Sequence, residues 1–257
     1  IKNDLKQYTI AGIKQEFLDL KYLYVEYDST VSYDPSFISS SDDLYSRIVK
    51  SIENYSRSSD INSFGGRLKY SKLLSQIDQV DRAITSNITK LIMRRNMVPA
   101  YNALANYELC YANQFHADLE GFNIRSTGFT LDGVEGTVYL TDLPDPGGKT
   151  GVVQFFTLVD GVVKYINEDV GKIDYIKGEI IIYPVTITST VLENRIEIEV
   201  TPESNDIIAK ENLYIVLDTT GKSVLTLKED LISSGSNRSG VSYNPPSSFI
   251  SNTKYTR

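Results

Sequence analysis

Val152-Val153-Gln154-Phe155-Phe156-Thr157-Leu158-Val159, then Asp160-Gly161, then Val162-Val163-Lys164-Tyr165-Ile166 is the stretch on which the fold turns. Two runs of β-branched and aromatic residues flank a dipeptide that tolerates two positive-φ positions. Turns of that hand match the right-handed twist of paired strands, so the stretch predicts a tight antiparallel hairpin. A second pair is expected around Lys177-Gly178, joining Lys172-Ile173-Asp174-Tyr175 to Glu179-Ile180-Ile181-Ile182-Tyr183. From Arg195 to Val200 the chain alternates, which assigns Ile196, Ile198 and Val200 inward and Arg195, Glu197 and Glu199 outward. Asn212 to Asp218 and Ser223 to Leu227 read as further strands. Many short strands with regular turn signals predict a mostly antiparallel β domain, either a sandwich or a partly open barrel.

Upstream of the hairpin, helix and strand signals mix. Leu18 to Tyr27 is dense in residues that fit a pleated surface; Leu20, Tyr22 and Tyr24 share one face, and Val31 and Tyr33 extend the strand. Asp34-Pro35 ends it. Ser41-Asp42-Asp43 offers short polar acceptors and negative charge to a helix N-terminus, and Leu44, Ile48, Ile52 and Tyr55 follow at helical spacing. A helix is expected from about Asp42 to Tyr55. Phe64-Gly65-Gly66 reads as a turn into the short strand Arg67 to Tyr70. Ser71 then caps a second helix that buries Leu73, Leu74 and Ile77. Asn87 to Arg95 favours a strand, and Tyr107 to Phe115 is expected to pair with it antiparallel across the connection 99–106.

The fold class that results is α+β: a small mixed sheet with about two helices, followed by a mostly antiparallel β domain. Three regions are expected: an α+β domain over 1–116, a β-rich domain over 117–232 and an extended arm over 233–257. The arm is rich in Ser, Asn, Gly, Pro and Tyr and too poor in aliphatics to offset its own ordering entropy. It lies on a partner or wraps on its own domain; the sequence leaves both open.

Composition narrows the chemistry. The chain has 257 residues, 26 Lys plus Arg against 33 Asp plus Glu, and a formal charge of −7, which argues against binding nucleic acid by phosphate neutralisation. Hydrophobic residues at 41% are enough for a core. One cysteine excludes an intrachain disulfide and a multi-cysteine metal site, and one histidine leaves little for imidazole catalysis. Trp is absent while Tyr numbers 18 and Phe 9, a balance suited to strands and wet protein interfaces. No apolar run approaches the length of a membrane helix. The start at Ile1 reads as a fragment of a longer polypeptide, and the sequons at Asn54, Asn87 and Asn237 carry little weight in so Asn/Ser/Thr-rich a chain.

Each motif that invites a chemical reading has a plainer one. Pro146-Gly147-Gly148-Lys149-Thr150 resembles the end of a phosphate loop, but the position of the first glycine is Leu143 and a strand follows where a helix is needed. Lys149-Thr150-Gly151 matches one β-lactamase element, yet a Ser-x-x-Lys appears only at Ser251 to Lys254, after it. Cys110 and His116 are too far apart along one strand to touch, about 20 Å. Cys110 reads as a small buried residue and His116, near Asp118, as an exposed loop residue. Carboxylate pairs exist in any chain this acidic, and none is singled out. Arg94-Arg95 beside Met93 and Met97 is a basic spot, read as a salt-bridge site rather than a nucleic-acid contact.

The order of features in the first half resembles the baseplate J-like family, which forms the wedges of contractile phage tails. The resemblance rests on the strand Tyr22 to Tyr33 with Asp34-Pro35, the following helix, and Ser63-Phe64-Gly65-Gly66-Arg67-Leu68-Lys69-Tyr70-Ser71-Lys72-Leu73-Leu74-Ser75. Ile84-Thr85-Ser86-Asn87-Ile88-Thr89 and Met93-Arg94-Arg95 continue it and are similar to a wedge subunit of T-even-type phages. Tyr107 to Cys110, Ile173-Asp174-Tyr175 with Gly178, and Pro202 to Ile207 fit the same pattern. The resemblance implies a C-terminal portion of a non-enzymatic structural protein that forms dimers and links wedges into a ring around the tail hub. It implies itself and other wedge proteins as partners, the virion as location after assembly in the host cytoplasm, and no cofactor, metal, nucleic acid, membrane or small-molecule substrate. No individual interface residue comes with it. A carbohydrate-binding or glycoside-cleaving tail module is the alternative, with Tyr rings stacking on sugars; the lack of Trp and of a marked acid pair weighs against it.

Overall fold

The computed structural model describes residues 21–210, 212–219 and 221–230. The start at Ile1, the residues Leu18 and Leu20, the Ser251 to Lys254 motif and the arm over 233–257 lie outside the described residues. In chain order, β1 (Lys21–Tyr33) leads through a 3₁₀ turn, Pro35–Phe37, to α1 (Ser41–Ser56). Then come β2 (Arg67–Leu68), α2 (Tyr70–Asp78), β3 (Ile84–Met97) and β4 (Leu104–Cys110). The middle of the chain holds β5 (Ile124–Ser126), β6 (Phe129–Leu131), β7 (Val138–Pro144), β8 (Thr150–Val159), β9 (Val162–Asp174) and β10 (Glu179–Thr190). The last elements are β11 (Ile196–Val200), β12 (Ile207–Ile208), β13 (Leu213–Leu217) and β14 (Val224–Glu229).

The first sheet is mixed and is built around β1. One edge of β1 takes β13 and then β14, both parallel; the other takes β3 antiparallel, followed by β11 and β5. Leu23, Val25, Tyr27, Val31 and Tyr33 of β1 are buried, as are Leu91 and Met93 of β3. Helix α1 forms over the expected stretch but starts at Ser41, so that Ser40 and not Ser41 is its N-cap. Ser40 Oγ accepts from the Asp43 N–H, Asp42 and Asp43 sit in the positive first turn, and Leu44, Ile48, Ile52 and Tyr55 are buried. Helix α2 begins one residue before the expected cap, at Tyr70, with Lys69 at the N-cap and no local side chain on its amides. The Tyr70 N–H instead donates to Asp206 Oδ1 at 2.8 Å. Leu73 and Ile77 are buried as expected, while Leu74 is half-buried.

The second sheet is a meander that nearly closes on itself. Strands β6, β7, β8 and β9 follow one another antiparallel, and β10 pairs with β9 over Glu179–Ile182 and with β6 near its far end. This makes the partly closed barrel one of the two expected β architectures. The Asp160-Gly161 turn joins β8 to β9 with both residues at positive φ, 51° and 79°. Pro184, which has no N–H to give the ladder, falls at the register shift between β10 and β4.

One expected pairing is overturned. Strand β4 does not pair with β3; it pairs antiparallel with β10. One edge of β3 is taken by β1, and on the other β11 occupies Met93–Met97, the end nearest the connection to β4. A second correction concerns Glu197, assigned outward but only 3% exposed. Strand β11 lies between β3 and β5, inside the first sheet, and the face it shares with Arg94 is covered rather than solvated.

A single hydrophobic cluster runs through both sheets. At the seam, Tyr111 meets Phe115 edge-to-face at 5.1 Å, and Phe115 meets Tyr175 at 6.4 Å. Tyr111 spans the two halves: its N–H donates to Gly178 O, and its hydroxyl to Ile198 O at 2.8 Å. Burial pushes the Tyr111 hydroxyl far above the ordinary tyrosine range. Nearby, Asp142 is buried, accepting from the Tyr175 hydroxyl, Asn123 Nδ2 and the Ile124 N–H. Three donors satisfy the carboxylate without a cation.

Candidate functional site

Two features stand out from this frame: a charge cluster sealed into the first sheet, and an apolar hairpin standing out from the second. The cluster starts from β3, where side chains alternate between faces. Arg94 and Arg95 therefore point opposite ways. Arg95 donates to Cys110 O at 2.6 Å, tying β3 to the end of β4. Arg94 is 5% exposed and reaches three carboxylates. Its Nε donates to Glu26 Oε1 of β1, its Nη1 to Glu197 Oε1 of β11 at 3.1 Å, and its Nη2 to Asp218 Oδ2 at 3.2 Å. The guanidinium also lies over the Tyr24 ring, 4.4 Å from its centroid.

A second cation completes the arrangement. Lys222 Nζ lies 2.6 Å from Glu197 Oε2 and 2.5 Å from Glu199 Oε1. Arg195 Nε donates to Glu197 Oε1 at 2.9 Å. Burial raises the Glu26 carboxyl above its ordinary range, against the pull of Arg94. Burial alone would raise Glu197 too, but the hydrogen bond from Lys222 and the charge of Arg94 hold it below the usual carboxylate range. The cluster joins β1, β3, β11 and the connection between β13 and β14, elements that lie up to 196 residues apart where Ser223 Oγ accepts the Tyr27 N–H. With every one of these charges paired across strands, the cluster acts as a clamp for the sheet.

The hairpin is the opposite case. Every residue of β9 from Val162 to Asp169 is exposed. Leu158, Val159, Val162, Val163, Tyr165 and Ile166 are all exposed, spread over the two faces of the hairpin, with Val162 at 67% exposure. On the first sheet an aromatic string is also open to solvent: Phe64 and Tyr22 each meet Tyr214 edge-on at 6.2 Å, and Tyr22 leads on to Tyr24. Both surfaces carry the rigid amphipathic or apolar residues that protein interfaces use.

The sequence candidates fall into place as follows. Gly147, Gly148 and Lys149 form the exposed turn between β7 and β8, closed by Gly148 N–H on Asp145 O, and no helix N-terminus follows. Cys110 is half-buried rather than buried, because β4 lies along β10 with one face partly open. His116 is exposed, with Nδ1 2.9 Å from Glu203 Oε2 and not beside Cys110. The basic spot resolves into one buried salt-bridge centre, Arg94, and one backbone clamp, Arg95. Glu26, Glu197 and Asp218 were not singled out as its partners; Glu26 facing away from the Val/Tyr core pattern of β1 was the available signal. Among the described residues no group of three or more His, Cys, Asp or Glu is placed to hold a metal ion. No helix among them is long and apolar enough to cross a membrane.

Residues 21–96 match the family model described as baseplate structural protein gp6, C-terminal domain III. The matched segment runs from the first residue of β1 to the penultimate residue of β3 and contains both helices. The match supports a structural role in a phage tail baseplate, in contact with other baseplate proteins. No curated protein matches the chain significantly.

Proposed function

We propose that this chain is a non-enzymatic wedge component of a contractile phage tail, self-associating so that wedges are linked into a ring around the tail hub. The match of residues 21–96 to a baseplate structural domain is the observation that carries the reading. The exposed apolar hairpin supports the self-association, because a surface of this kind in a soluble assembly protein is normally covered by a partner. Its partners are then a second copy and other wedge proteins, and its place is the virion, after assembly in the host cytoplasm. The clamp around Arg94 suits such a role: it holds together the strands of the first sheet, from which the aromatic string is presented.

The test is native mass by light scattering across a dilution series. The expected result is a mass near twice 28.8 kDa that falls to the monomer value in a Val162→Lys/Val163→Lys variant. Both positions are exposed, so the variant keeps its stability within about 0.5 kcal/mol. A wild-type chain that stays monomeric at every concentration would overturn the self-association. Saturable binding to cell-wall glycan in its place would turn the reading toward the carbohydrate alternative.

A further inference from the structure

Strand β9 is paired with β8 along one edge, but its other edge meets β10 only at Gly171–Asp174. Among the described residues, the backbone from Val162 to Val170 has no ladder partner on that side. A free edge of this length is a template for an added strand. Beside it lie two adjoining hollows. One, of about 300 Å³, is lined by Leu131, Phe155, Val170, Tyr183 and Val185. The other, of about 870 Å³, runs under the hairpin past Val134, Leu158 and Tyr165. Open main-chain groups beside apolar hollows are the two halves of strand-addition recognition: hydrogen bonds along the backbone, and pockets for alternate side chains.

Charge says what kind of strand fits. Glu135, Asp160 and Asp169 line the hollows against the single cation Lys164, and Glu168 adds a further acid on β9. The chain carries a segment of opposite character. Beyond Asp230 it contains Arg238, Lys254 and Arg257 and no Asp or Glu. Its last stretch, Phe249-Ile250-Ser251-Asn252-Thr253-Lys254-Tyr255-Thr256-Arg257, has no proline and is rich in β-branched and aromatic residues. In an extended strand Phe249 and Tyr255 share a face, about 20 Å apart, and Lys254 lies on the other. The stretch matches the unpaired run 162–170 in length.

We propose that the segment 249–257 of this chain adds as a strand to the free edge of β9, with Phe249 and Tyr255 in the two hollows and Lys254 against the acidic rim. The groove is a strand-addition site for that segment, which goes beyond the wedge reading.

Hydrogen–deuterium exchange on the full chain tests it. Amides of 162–170 should exchange at least about tenfold faster in a Phe249→Ser/Tyr255→Ser variant than in wild type, with β1 and β3 unchanged as the internal reference. A Lys254→Glu/Arg257→Glu variant should show a smaller loss of protection, and raising the salt should narrow its difference from wild type. As a second measurement, a photo-crosslinking residue at position 249 should be captured on β9 or β10. Equal exchange of 162–170 in wild type and the Phe249→Ser/Tyr255→Ser variant, or capture only elsewhere, would overturn the proposal. Mass is read on the same samples, so a dimer that survives with the groove unprotected refutes the added strand and leaves self-association standing.

Discussion

Replacing Arg94 by methionine keeps the volume of the side chain and removes the charge on which the clamp is centred. Glu197 keeps Lys222 and Arg195, and Asp218 keeps the Gly221 N–H, so those two carboxylates stay compensated. Glu26, 4% exposed, loses its bonded cation. The cost of leaving it charged is capped, because the carboxyl can take up a proton instead. With an ordinary value of 4.5, protonation at pH 7 costs at most about 3 kcal/mol. Adding about 1 kcal/mol for the hydrogen bond to Asn96 places the loss at about 3–5 kcal/mol, the range for breaking a buried pair from one side. At pH 5 the same protonation costs under about 1 kcal/mol, and since Glu26 is already raised in wild type, the variant's deficit should shrink by up to about 3 kcal/mol. The sign follows from a carboxyl whose folded value is raised: its penalty grows as pH rises above the unfolded value. Urea denaturation of both proteins at the two pH values measures this. The Glu26→Met/Arg94→Met double variant should return to within about 1.5 kcal/mol of wild type, since an apolar replacement of a buried pair is close to neutral. A single-variant loss under about 1 kcal/mol, or one identical at pH 5 and pH 7, would refute the reasoning.

Three other outcomes follow from local geometry and burial. Gly178 sits at φ +71° with the site of a Cβ only 2.0 Å from Asn113 O, whereas Gly161 at φ +79° has open space around it. Gly161→Ala should therefore cost about 1–2 kcal/mol and Gly178→Ala at least about 3 kcal/mol, read as denaturation midpoints; equal costs would deny the close approach of β10 to the seam. Asp206→Ala should cost about 1 kcal/mol and speed amide exchange at the first turn of α2, and unchanged exchange there would show that Asp206 is not its cap. Burial raises the Tyr27 hydroxyl to about 12, and Tyr111 and Tyr175 are pushed up further, so their neutral form is favoured by folding. Stability should be intact below pH 10 and fall as pH climbs toward 12; absorbance at the tyrosinate band should show these rings ionising only with unfolding, and early ionisation of all 18 tyrosines would contradict it.

What the sequence determined by itself was what short-range chemistry decides. The β8–β9 hairpin was legible because Asp160-Gly161 admits positive φ and its flanks do not continue into a helix. Helix α1 was legible because Asp42 and Asp43 sit in its first turn and Leu44, Ile48 and Ile52 recur on one face. The tertiary structure decided everything that depends on which edges and faces are already occupied. Strand β4 looked fit to pair with its chain neighbour β3, but β11, from far along the chain, takes the near end of β3 at Met93–Met97, and β4 lies on β10. Helix α2 is capped by Asp206, which no local window contains. Glu197 alternates as a solvent residue should, and it is buried because Arg94, Arg195 and Lys222 converge on it. Period-two alternation tells which residues share a face, but only the packing of the rest of the chain tells which face is wet. Pairing and burial are set by long-range closure, and a strand's own residues do not encode the competitor that takes its edge.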